Sequence, residues 1–154
     1  MPTPALIVRQ EGNNAHTHPF VSVYEAYKKS GPNVLGVEAL QGDDGSTGVK
    51  VNTADGYADY LFTATDMQAH HPSKRVSFCG RLGLIREKEG QIQLMYLGCG
   101  RSLKKGNFVL ESDHDVYAAI YMQHGVWYYS ATGPVRVKIG KETKELNEGY
   151  NQKL

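Results

Sequence analysis

The sequence predicts an all-β domain, an antiparallel β-sandwich of about a dozen short strands. Three observations predict it. Apolar residues recur at period two in segment after segment, as where Val21 and Val23 alternate with Ser22 and Tyr24, the pattern of a half-buried strand. No window of eleven or more residues shows a helical period. Seventeen glycines and ten tyrosines among 154 residues read as strands joined by tight turns.

Taken in order, residues 5–10 form a first strand, ended by the polar EGNNA. Pro19 marks entry to a second over residues 20–27, because proline is tolerated where no ladder donor is lost. The turn Ser30-Gly31-Pro32-Asn33 stops it, and residues 34–40 form the next strand. After the loop QGDDGSTG, Val49 and Val51 begin a strand that the Ala54-Asp55-Gly56 turn links to residues 57–65 as a hairpin. Residues 66–74, polar and containing a proline, read as a surface loop. The longest pair, 76–87 and 91–98, is joined by Lys88-Glu89-Gly90, with Gly90 placed to take the left-handed conformation of a three-residue loop. Further strands lie around 108–110 and over 116–123, 126–131 and 135–139, and the charged tail from Lys141 frays.

The length suits one domain with a real core, residues 1–154, rather than two. Seventeen Lys and Arg against sixteen Asp and Glu give a formal charge of +1. No global field recruits nucleic acid or an acidic membrane. No apolar run reaches the ~18 residues that span a bilayer. The first ten residues are too short and too polar at their flanks for a secretory signal, so an exported parent implies a mature part or a cut-out piece. A polyanion would have to use a local patch, such as residues 101–105 or Arg136 with Lys138.

Several segments carry a resemblance. Leu6-Ile7-Val8-Arg9, then Thr17-His18 and Phe20-Val21-x-Val23-x-Glu25 before a polar turn, resembles a strand pair in the C-terminal β-region of heparinase II/III-like polysaccharide lyases. The likeness continues to VYAAIYMQHGVWYYSATGPVRVKI, residues 116–139. Where that family commonly has Glu-Pro, Glu25 is followed here by Ala26. The resemblance implies a non-catalytic domain of a larger carbohydrate-active protein, periplasmic or extracellular, whose partner is an acidic polysaccharide or the catalytic domain of its parent chain. In that family the catalytic Tyr, His and Asn come largely from an α-helical toroid, which this chain lacks, so no catalytic residue is carried over. Arg136, Lys138 and Trp127 would line the end of the groove. Tyr129 shares a strand face with Trp127, and flat rings with a polar edge suit sugar stacking; the competing reading makes the pair core.

A second hypothesis is a self-standing cupin-like metal-dependent enzyme or sugar-binding β-barrel. His16 and His18 can present both imidazoles on one face of an extended segment to a divalent metal such as zinc, iron or copper. Glu25 and either His114 or His124 would complete the set. A solvated loop with two histidines is the competing reading. His70 and His71 are adjacent, hence point oppositely on an extended chain, and with Asp113-His114-Asp115 read as exposed turn chemistry. Gly98-Cys99-Gly100-Arg101 precedes no helix and so has no dipole with which to bind phosphate. A three-residue loop at 88–90 also sets Cys79 opposite Cys99, within reach of a disulfide; a bulge at Gly80, Gly83 or Gly98 would shift that register.

Overall fold

A computed structural model describes residues 23–25, 31–40 and 46–154. The described residues contain eleven strands and no helix: β1 (Val34–Leu40), β2 (Ser46–Thr53), β3 (Tyr57–Ala64), β4 (His70–Ser73), β5 (Val76–Lys88), β6 (Gln91–Lys105), β7 (Phe108–Gln123), β8 (Val126–Ala131), β9 (Val135–Ile139), β10 (Glu142–Leu146) and β11 (Gly149–Lys153). Every pairing is antiparallel. The expected β-sandwich is borne out.

Three strands of 13, 15 and 16 residues organise it, and each belongs to two layers. The end of β5, the start of β6 and the end of β7 continue a sheet β1-β2-β3-β5-β6-β7-β8-β11, while the start of β5, the end of β6 and the start of β7 join β4, β9 and β10. Straight strands could not close this arrangement. At about 3.3 Å per residue, Phe108 and Met122 at opposite ends of β7 would stand ~46 Å apart. Yet Met122 pairs with Trp127, whose ring centroid is 5.9 Å from that of Phe108. Likewise Lys105, the partner of Val76 at the start of β5, reaches Glu87 at its end with Nζ 2.8 Å from Oε1. The three strands therefore fold over at their middles, which turns one continuous hydrogen-bonded ladder into a sandwich.

The fold line runs through Gly80 of β5 and Gly100 of β6, which are register partners. A Cβ on Gly100 would stand 2.6 Å from Leu97 Cδ1, 2.7 Å from the Cys79 carbonyl and 2.8 Å from Gly80 Cα. Only bare backbone fits so close an approach. Between the folded halves lie Phe62, Phe78, Ile85, Met95, Leu97, Leu103, Leu110 and Ile120, all with no exposure to solvent. Each such side chain contributes ~1.5–3 kcal/mol by leaving water. The inner row Phe78, Leu103, Leu110 and Val137 follows the register across β5, β6, β7 and β9, so pleat alternation puts their sequence neighbours on the outside.

Several expectations change. The 88–90 loop has two central residues, since Lys88 pairs with Gln91 and both Glu89 and Gly90 have positive φ, the conformation that matches strand twist in the tightest hairpins. Register shifts between Arg86 and Glu87 and between Cys79 and Gly80 then move Cys79 opposite Ser102. Cys79 and Cys99 do lie on neighbouring strands, but both are free thiols, and Cys99 takes the left-handed region with φ 48°. The 66–74 loop contains β4, in which His70 is buried, its Nε2 2.9 Å from Asp66 Oδ1, while His71 is exposed. The tail from Lys141 forms β10 and β11 instead of fraying, because β9 and β8 offer open edges. The expected strand 5–10 lies outside the described residues, and Val23, Tyr24 and Glu25, the described part of the expected strand 20–27, are not in a strand.

Candidate functional site

Because β7 pairs with β9 at its start and with β8 at its end, the outer face of the second layer carries a row that no local reading of the sequence assembles. Cys79, Ser102, Glu111, Arg136 and Glu145 follow one another across β5, β6, β7, β9 and β10. A second row beside it runs Ser77, Lys104, Val109, Lys138 and Thr143. Adjacent members are a strand spacing apart, ~4.8 Å. Their side chains meet as alternating charges. Lys104 Nζ lies 2.7 Å from Glu111 Oε2, Arg136 donates to Glu111 Oε1 over 3.2 Å, and the Nε–H of Arg136 donates to Glu145.

One wall of the site comes from the fold line. Gly100 pairs with Val116 and Ser102 with Glu111, so one residue of β6 spans the distance covered by residues 112–115 of β7, which stand out from the sheet. Ser112 fixes this excursion by donating its hydroxyl to the Pro134 carbonyl over 2.8 Å and accepting from the His114 amide over 3.2 Å. Arg101, the extra residue of β6, donates its Nε–H to Asp115 over 2.7 Å. Wall and rows enclose an open cleft of about 500 Å³ whose lining includes Arg101, Ser102, Glu111, Asp113, His114 and Arg136. At its floor the Ser102 hydroxyl oxygen is buried with no hydrogen-bond partner among the described residues.

Electrostatics here are pairwise balanced. The hydrogen bond from Lys104, with Arg136 beside it, holds the Glu111 carboxyl below the usual carboxylate range. Glu145 and Glu111 raise Arg136, and Asp115 raises Arg101. Such a surface offers planar donors and acceptors side by side, the equipment for recognising hydroxyl groups. Charge-assisted hydrogen bonds of this kind fix orientation more than they attract from a distance.

The residues singled out from the sequence are distributed unevenly. Arg136 lines the cleft and Lys138 sits one position along the same strand face. Trp127 and Tyr129 turn inward: Tyr129 is 9% exposed and Trp127 packs on Phe108, with part of Trp127 lining a separate cavity of about 260 Å³ that includes Lys144. Tyr128 is the outward ring of that run and stacks on Tyr121 at 6.0 Å. Of the metal candidates, His16 and His18 lie outside the described residues. Glu25 accepts the amides of Asn33 at 2.6 Å and Val34 at 3.0 Å, at the start of β1. His114 and His124 are exposed, on the excursion and in the β7–β8 turn. Among the described residues no three His, Cys, Asp or Glu side chains converge as a metal site would require. Sequence reasoning missed Glu111 and Glu145 and read Asp115 only as exposed turn chemistry, because their roles depend on strand pairings distant in the chain.

No solved structure matches the chain. It is 34% identical over 118 residues to an endo-acting ulvan lyase of Formosa agariphila, an alignment covering 73% of this chain and 14% of that protein. The chain thus spans well under two thirds of its relative. The model of the endo-acting ulvan lyase C-terminal domain matches residues 34–122, the stretch from β1 through the folded-over strands that create the sandwich and the cleft. On these grounds a polysaccharide lyase module is favoured over a metal-dependent barrel, and the chain belongs to the endo-acting ulvan lyase C-terminal domain family.

Proposed function

We propose that this chain is a non-catalytic module of a polysaccharide lyase acting on ulvan, and that it holds the polymer for a catalytic part carried elsewhere in the parent protein. The observation that carries this reading is the open cleft on the second layer, where Arg101, Arg136 and their carboxylate partners present donors and acceptors side by side. In the finer form of the proposal that catalytic part is heparinase II/III-like, the polymer is acidic, and the encounter takes place in the periplasm or outside the cell. Arg136 contacts the polysaccharide first, Lys138 extends the contact along β9, and the accessible part of Trp127 offers a further contact from the cavity on the opposite face of β9. Catalysis by β-elimination needs a base within hydrogen-bond reach of the proton removed, and this reading assigns that base to the absent part.

Affinity electrophoresis of the isolated chain through gels containing ulvan tests the proposal. The expected result is retardation that weakens in Arg136→Ala, with no rise in ultraviolet absorbance from unsaturated products when chain and polymer are incubated together. Unretarded migration, or unsaturated product formed by this chain alone, would overturn it.

A further inference from the structure

In the outer cleft Arg101 and Arg136, and beside it Lys104, are each held by a carboxylate, so that cleft has little charge to spare for a polyanion. A second cleft, of about 410 Å³, has a different balance. It opens where the folded strands bring their ends together, lined by Tyr60 of β3, Glu87 of β5, Lys105 of β6 and the Ser73-Lys74-Arg75 turn from β4 to β5. Among the described residues that line it, three cations face one carboxylate.

The geometry around Lys105 is closely built. Its Nζ lies 2.8 Å from Glu87 Oε1 and 3.5 Å from the centroid of the Tyr60 ring, and its side chain is 14% exposed. Lys50 adds a second ammonium 5.8 Å from the same ring centroid. Lys74 and Arg75, exposed in the two-residue turn closed by the Ser73–Val76 pair, form no ion pair among the described residues. Burial, reinforced by the like charges of Lys50 and Arg75, holds the Lys105 ammonium below its ordinary pKa despite Glu87. Among the described residues Lys50, Lys74, Arg75 and Lys105 outnumber Glu87 and Glu38, whose Oε2 lies 4.0 Å from Lys50 Nζ, around a partly dehydrated pocket, an arrangement that a bound anion relieves.

We propose that the cleft between Tyr60, the Lys74-Arg75 turn and Lys105 is a socket for one compact oxyanion, a sulfate ester or a carboxylate carried on a sugar ring. Arg75 offers a planar fork to two anion oxygens, and Lys74 and Lys105 supply point charges on either side. The Tyr60 ring forms the floor. The socket supplies the attraction that the outer cleft lacks, and only the source of its anion rests on the acidic-polysaccharide reading above.

Titration of the isolated chain with sodium sulfate, with sodium glucuronate, and with sodium chloride at matched ionic strength tests this, read by amide chemical shifts. Expected is a saturable shift at Ser73, Lys74, Arg75 and Lys105. It should be weakened at least ~10-fold in the Lys74→Ala/Arg75→Ala variant, where two charge-assisted contacts are lost, and unchanged in Arg136→Ala. The turn is exposed, so this variant keeps its core; retained chemical-shift dispersion verifies that. Tighter binding of sulfate assigns a sulfate ester, and tighter binding of glucuronate assigns a carboxylate. Sulfate and glucuronate shifts that both match chloride, or that centre on Arg101 and Arg136, overturn the socket. Polymer retention that falls in Arg136→Ala but not in the turn variant removes the socket from polysaccharide binding and leaves the proposed function standing. A saturable socket on a chain that ignores the polymer does the reverse.

Discussion

Replacing Gly100 by alanine tests whether the sandwich depends on a close approach of two backbones. Carbon atoms pack best at about 3.5–4.0 Å, whereas a Cβ here stands 2.6 Å from Leu97 Cδ1, 2.7 Å from the Cys79 carbonyl oxygen and 2.8 Å from Gly80 Cα. The leucine methyl can rotate away. The two backbone atoms cannot, because the Gly80–Gly100 pair is held in the ladder on both sides by Leu82–Gly98 and Cys79–Ser102. Gly100 is not among the residues with positive φ, so conformational strain adds nothing and the whole effect is steric. Overpacking of a tight interior costs ~1–3 kcal/mol, and the upper end is expected: about 3 kcal/mol in urea unfolding with an unchanged m-value, or a Tm lower by ~6–12 °C at this chain length. Gly80→Ala meets Gly100 Cα at 2.9 Å but otherwise only side chains at 3.1 Å, and should cost less, ~2 kcal/mol. Gly36→Ala, with nothing within 4 Å, serves as the control and should be neutral or gain ~0.5 kcal/mol. Stability of Gly100→Ala within ~0.5 kcal/mol of the parent, inside the range of ordinary surface substitutions, would refute the fold-line argument.

Three further outcomes are expected. Phe78→Ala should lose ~3–5 kcal/mol in the same assay, since the ring is fully buried against Phe62. Ser102→Cys should form a disulfide with Cys79 on mild oxidation, because the two are register partners, whereas the parent chain should titrate with two free thiols; an oxidised Cys79–Cys99 pair would contradict the register. The Tyr60 phenol is pushed up to about 12 by burial and by Glu87. A raised pKa stabilises the fold below the unfolded value and loses that contribution as pH climbs through the folded one, so stability should fall between about pH 10 and 12, by only ~1 kcal/mol after solvent screening. Lys105, shifted down, acts in the opposite sense at lower pH, and Tyr60→Phe isolates the tyrosine part: a fall that persists in that variant would assign it elsewhere.

Period-two alternation by itself determined that the chain is all-β, and turn residues located most strand ends. The Asp55-Gly56 turn stands where it was read, and the break between the expected strands 116–123 and 126–131 falls at the His124-Gly125 turn. Local pattern also put Trp127 and Tyr129 on one face, because alternation needs no partner strand. Which face is core needed the second layer, and that layer exists only because β5, β6 and β7 fold over. Gly80 and Gly100 were visible as glycines, but their mutual contact joins residues on different strands, and a register moved by two bulges cannot be counted outward from a hairpin loop. For the same reason Cys79 faces Ser102 instead of Cys99. The outer cleft joins β5, β6, β7, β9 and β10, and the basic cleft joins β3, β5, β6 and the β4–β5 turn. Both are products of strand pairing and folding over, so the sequence could name Arg136, Lys138 and the run from Arg101 to Lys105 as charges, while only the tertiary structure decided which carboxylates neutralise them and which cations remain free.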